Sequence, residues 1–271
     1  MNDLLTHPAF QAGVLPFVLA LIVAELLQRA KLSGLALIAG FAATVYLTSG
    51  FGYEPLTATR KLIWLGVAAA LAGLALGWLK ANWLRPMLAG LAAVASVWMA
   101  WGILQQKETA ALLLWGGGSA LWVGWLVFWL DGYRDDPVRA GSCGIALGAG
   151  AGGASLLGAS ALLGQFGLAL AAASAAFLLL QAATRTRLTA GRSFTLPLAL
   201  LAGMVSLLTA LTAQLPWYAL PALALVPLAA KIPVSEQMPL WLQSALLSLA
   251  TSSCAAAAIY LTWREAGAAP W

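Results

Sequence analysis

Apolar residues run along this chain in long blocks, and the polar ones collect in short intervals between them. Ten blocks can be read: Phe10 to Leu27, Leu32 to Phe51, Leu62 to Leu79, Pro86 to Leu104, Ala110 to Leu130, Ala140 to Leu163, Phe166 to Ala183, Phe194 to Ala213, Trp217 to Ala230 and Pro239 to Trp263. Most reach the roughly 20 residues a helix needs to cross about 30 Å of hydrocarbon. Runs such as Leu35-Ala36-Leu37-Ile38-Ala39-Gly40 are apolar on every face, as helices surrounded by lipid and by each other must be. Nothing alternates apolar with polar residues over the ~10 positions of a barrel strand. The pattern predicts an all-α, polytopic integral membrane helix bundle of about ten transmembrane helices (range eight to ten) with short loops, forming one domain over residues 1–271.

Two segments leave alternatives open. Only Gly164 and Gln165 separate the sixth and seventh blocks, which form a tight helical hairpin if both span and a re-entrant pair if neither does. The ninth block is short and holds Pro221 and Pro227, with Pro216 and Pro233 just outside, so it reads as a candidate broken helix. An internal repeat is not evident: Leu15-Pro16-Phe17 echoes Leu196-Pro197-Leu198, but the spacing does not map five helices onto five.

Composition removes the soluble alternatives. Only 8% of the 271 residues are charged and 62% are hydrophobic, against about 25% charged in a soluble domain. The net charge of +5 does not signal nucleic acid, because the basic residues fall in the loops and meet lipid headgroups there. Alternate loops divide the 14 Lys and Arg residues ten to four. Arg29, Lys31, Lys80, Arg85, Arg134, Arg139, Arg185, Arg187, Arg192 and Lys231 form the larger set; Arg60, Lys61, Lys107 and Arg264 form the smaller. The larger set is expected in the cytoplasm, with both termini outside and the protein in a plasma membrane of the bacterial inner type. No cleaved signal is expected, since Asp3 stands where a basic region would be. Cys143 and Cys254 lie in apolar blocks and read as packing residues.

Within the blocks as drawn, Glu25 is the one formally charged residue. Intramembrane carboxylates are functional candidates, yet Glu25 stands near a helix end, four residues before Arg29, in the favourable order for an i,i+4 pair. The loop Phe51 to Lys61 offers Tyr53, Glu54, Arg60 and Lys61 as an outer docking surface, or else a Gly52-Pro55 turn capped by Thr57 or Thr59. Asp131, Asp135 and Asp136 fail the EF-hand spacing, so the loop they form is expected to be a solvated turn whose Asp135-Asp136-Pro137 starts the next helix. Gly144, Gly148 and Gly152 form a small-residue stripe for close helix packing. Most of the 13 tryptophans sit at block ends as interfacial anchors, but Trp122 and Trp125 are deeper and can line a pocket. Gln214, Tyr218, Pro221 and Pro227 would mark a site at the broken ninth helix, where backbone groups are exposed.

His7 is the only histidine, so bis-histidine haem or histidine-based zinc and copper centres cannot come from this chain alone. No nucleophile, base and orienting group stand together, so no catalytic residue, cofactor or metal ligand is assigned and an enzyme is not expected. The expected partners are membrane lipids and other membrane subunits, not nucleic acid. The first reading is a small permease for an uncharged, zwitterionic or amphipathic solute. The second is a non-catalytic subunit of a larger membrane assembly, and the third an intramembrane lipid-modifying enzyme. In helix number and size the outline resembles the drug/metabolite-type transporters, but with no shared motif and with termini facing the other way, so the resemblance transfers no residues.

Overall fold

The computed structural model describes residues 7–79, 81–213 and 215–266. Its ten helices in chain order are α1 (Phe10–Leu27), α2 (Ser33–Thr48), α3 (Ala58–Leu76), α4 (Leu84–Leu104), α5 (Thr109–Asp131), α6 (Pro137–Leu157), α7 (Ala161–Thr184), α8 (Gly191–Thr212), α9 (Ala219–Ala229) and α10 (Leu240–Ala266). All but α2 and α9 are long and apolar enough to cross a membrane. The protein is a helical membrane bundle, and no strand occurs among the described residues.

Local chemistry sets several helix ends. Thr57 caps α3 by accepting from the Arg60 amide, and Asp136 caps α6 by accepting from the Arg139 amide, with Pro137 next to it where a missing N–H costs nothing. The first turn of α1, Phe10–Val14, is π-helical. The Leu15 amide donates to Phe10 O, and Pro16 has no N–H, so Gln11 O loses both intrahelical donors. The Thr44 hydroxyl of α2 supplies the bond instead, at 2.6 Å.

Helix α8 forms the centre: every residue from Arg192 to Thr209 is buried. Around it stand α2, α3, α5, α6 and α7, with α1 outside α7, α4 outside α5, and α10 against α6 and α9. Without a hydrophobic force between helices in lipid, close approach requires small residues. A Cβ on Gly73 of α3 would meet the Arg192 carbonyl, and one on Gly66 would come within 2.6 Å of Leu201 Cδ2. Between α6 and α7 the two backbones touch. A Cβ on Gly152 would lie 2.6 Å from Leu168 N, one on Gly148 would overlap Ala171 N, and one on Gly144 would overlap the Ser174 hydroxyl. Across the interior, Ser155 and Thr209 share a hydrogen bond of 2.6 Å, and Phe177 lies 4.7 Å from Phe194 between ring centres.

Polar contacts tie the loops of each end together. Ser33 bonds Thr189 O at 3.0 Å, Gly191 N donates to Arg134 O at 3.0 Å, and Arg187 donates to Gln243 at 3.2 Å. These contacts join the α1–α2, α5–α6 and α7–α8 loops and the start of α10 into one basic end. The end of α10 meets the start of α9 at the other, where the Tyr218 hydroxyl donates to Glu265. That bond holds the Tyr218 phenol above its ordinary pKa.

Two expectations are corrected here. Gly164 and Gln165 are not a turn but lie inside α7; the chain reverses at Gly158, Ala159 and Ser160, where Ala159 adopts φ +65°. Both flanking helices are long enough to span, so they form a hairpin rather than a re-entrant pair. Glu25 does not pair with Arg29: exposed in the last turn of α1, it accepts from the Gln28 side chain at 2.7 Å. Glu25→Gln is therefore expected to lower stability by no more than about 0.5 kcal/mol, measured by unfolding in detergent. A larger loss would mean that the carboxylate has a partner in the fold.

Candidate functional site

Proline breaks α9 into two pieces, Ala219–Ala224 and Val226–Ala229, with the joint at Leu225. Side chains of its neighbours satisfy carbonyls along it. The Trp125 indole of α5 donates to Ala224 O at 3.1 Å, the Tyr133 hydroxyl donates to Pro227 O, and Arg139 of α6 donates to Ala230 O. Burial pushes the Tyr133 phenol well above its ordinary pKa, so it stays a neutral donor. A broken helix at membrane depth is tolerated where protein supplies such partners.

Between α5, α8 and α9 lies a groove of about 650 Å³, lined by Trp115, Trp122, Trp125, Trp217, Pro221 and Leu207 among others. Several of its polar groups are already committed. Trp122 Nε1 donates to Gly203 O at 2.9 Å and to Ser206 at 3.2 Å, Trp125 Nε1 to α9, and the Ser119 hydroxyl to Gly116 O at 2.9 Å. Trp115 and Trp217 add indole N–H groups that donate to no residue among those described, but the lining is mainly aromatic and aliphatic, which suits a hydrocarbon chain. Its size falls within the roughly 300–1,000 Å³ of small-molecule sites.

Toward the basic end the aromatic face continues. The Trp125 ring lies 5.4 Å from Trp129 and Phe128 lies 5.8 Å from Trp129. Arg85 stands 4.0 Å over Phe128 and Lys231 stands 3.8 Å over Trp129. Alongside is a polar pocket of about 400 Å³ that includes Asn82, Arg85, Asp131, Arg134 and Asp135. Behind it Arg192, 1% exposed, donates to Asp131 at 2.7 Å and to Leu76 O and Leu79 O at 2.8 and 2.6 Å. Arg134 lies 3.2 Å from Asp131 and 3.3 Å from Asp135, and Arg139 lies 2.9 Å from Asp136.

No protein-family model matches this chain, and no curated protein matches it.

The structure brings Trp122, Trp125 and Pro221 together in one groove, with Tyr218 beside the lining Trp217 and Pro227 further along α9. Gln214 lies outside the described residues. Glu25 belongs to α1, apart from all of these. Of the loop from Phe51 to Lys61, Arg60 donates to Pro55 O at 3.0 Å, Lys61 donates to Trp98 O at 3.1 Å, Tyr53 packs edge-on to Trp64, and Glu54 is exposed. Gly144, Gly148 and Gly152 face α7, away from the groove.

The expected solvated turn at Asp131 is overturned: Asp131 is buried and ion-paired, although Asp136 does start α6. Sequence reading missed the Asp131–Arg192 pair because each residue stands just beyond an apolar block, in loops far apart in the chain. The available signal was that both residues directly flank blocks whose ends share one side of the bundle.

Proposed function

We propose that this membrane protein is a small, non-enzymatic permease for amphipathic solutes, moving an apolar chain along the groove between α5, α8 and the broken α9. The observation that carries this is the groove itself, bounded by a helix whose carbonyls are held by neighbouring side chains. Its lining disfavours a polar or zwitterionic solute, because burying such groups without partners is costly. The basic end would face the cytoplasm of a bacterial inner membrane, following the ten-to-four division of Lys and Arg.

Sealed vesicles containing the purified protein and a fluorescent short-chain phospholipid are expected to show protein-dependent movement of the label between leaflets. Gly118→Leu should lower that rate about tenfold or more, given the ~10-fold effect of even one misfitting methylene in an apolar pocket. A Cβ on Gly118 meets nothing within 4 Å, so the added side chain starts in open space at the groove. Helix propensity favours the change by up to about 1 kcal/mol, so the fold is kept. Absence of movement with the wild type, or equal movement with folded Gly118→Leu, would overturn the reading.

A second reading, a non-catalytic subunit of a larger membrane assembly, draws support from α8, whose continuous buried run puts packed side chains where a central path would lie. It predicts no movement of label by the isolated protein and a partner held in fixed ratio after gentle purification.

A further inference from the structure

We propose that the groove takes an acyl chain of an anionic membrane phospholipid, with the phosphate held by Lys231 and Arg85 beside Trp129. This rests on the groove being the site of an amphiphile's chain, and it adds the class of headgroup.

Charge is the first argument. Around the basic end of α5, the carboxylates of Asp131, Asp135 and Asp136 are taken by Arg192, Arg134 and Arg139. Arg85 and Lys231 have no carboxylate partner among the described residues, which leaves two positive charges uncompensated. Aromatic faces hold both: Lys231 is 3.8 Å and Arg85 5.6 Å from the centre of the same Trp129 ring. Both cations therefore lie within about 6 Å of the centre of one ring. Arg85 Nε already donates to Phe128 O, and stacking leaves the terminal N–H groups of the guanidinium for a phosphate. Trp129 Nε1 is itself buried and has no acceptor among the described residues.

Geometry is the second argument. Residues 118, 122, 125 and 129 recur at helical spacing, so the groove and the cationic spot share one face of α5. From Leu114 to Trp125 the groove follows α5 for about 16 Å, close to one leaflet's share of a ~30 Å hydrocarbon core. The cations lie about one turn beyond Trp125, at the loop end where headgroups sit. A chain in the groove thus brings its own phosphate to Lys231 and Arg85. A zwitterionic lipid would set its ammonium against the same two cations.

Protein reconstituted in discs of phosphatidylcholine with a minor share of phosphatidylglycerol, then extracted, tests this by native mass spectrometry of the lipid it retains. The expected result is enrichment of phosphatidylglycerol. Lys231→Gln and Arg85→Gln should each reduce the enrichment about fivefold, the worth of one cation near an anionic headgroup, with the total lipid retained unchanged. Gly118→Leu should remove both lipids. Lys231 is exposed, so its variant keeps the fold even if Arg85→Gln loosens the α4–α5 contact. No enrichment in the wild type, enrichment that survives both cation variants, or retention indifferent to Gly118→Leu would each overturn the site. Enrichment without movement of label between leaflets would sink the transport reading and leave the lipid site standing. Movement without enrichment would do the reverse.

Discussion

Arg192→Met is expected to lower the unfolding free energy by about 3–5 kcal/mol, the cost of breaking a buried ion pair from one side. Arg192 lies in the first turn of α8 and gives N–H groups to Asp131 of α5 and to the carbonyls of Leu76 and Leu79, at and just beyond the end of α3. One side chain thereby fastens three helices at the basic end. Its loss strands a carboxylate whose side chain is 3% exposed, with Arg134 at 3.2 Å as its remaining cation. It also removes the donor from two carbonyls in part-buried hydrogen bonds. Most of the cost comes from what is left unpaired rather than from the net worth of the pair. Asp131→Asn combined with Arg192→Met should therefore cost less than the two single changes together. Equilibrium unfolding in detergent decides it. A single-variant loss within the ~0.5 kcal/mol typical of surface changes would show the clasp to be dispensable.

Gly148→Leu should be comparably damaging for a different reason. The site has no space for a Cβ, since the first added atom would overlap Ala171 N and approach Gly167 O to 2.8 Å. Backbone atoms of a helix cannot rotate away as a side chain can, so α6 and α7 must separate. The contacts at Gly144 and Gly152 go with them. The expected loss is at or above the ~1–3 kcal/mol of ordinary overpacking. Gly117→Leu supplies the comparison: it places the same side chain on α5, where a Cβ meets nothing within 4 Å. If both variants unfold at the same denaturant concentration, the seam is not tight in the sense described.

The charged chemistry at the basic end was the part least legible in the chain. Hydropathy weighs a residue by its neighbours in sequence, so Asp131 and Arg192, each just outside an apolar block, read as loop. Their burial is a property of where two distant loops meet. Glu25 shows the opposite case, since it falls inside a block but lies at an exposed helix end. The reversal between α6 and α7 was misplaced because Gly164 looked like a breaker. That glycine instead serves the close approach of the two helices, and a residue without a Cβ suits a turn and a tight seam equally.

Sequence by itself determined that the chain is helical and lives in lipid, how many helices it has, and which loops share an end. Each of these follows from local quantities: the length of an apolar run, the satisfaction of backbone groups within a helix, and the count of cations between runs. Only the tertiary structure decided that α8 lies at the centre, that Trp122, Trp125 and Pro221 line a common groove, and that Lys231 and Arg85 both stand at the Trp129 ring. Apolar residues facing lipid and apolar residues facing another helix are chemically alike. The periodicity that marks the inner face of a soluble helix therefore does not exist here, and the neighbours of each helix are fixed by where small residues let backbones close.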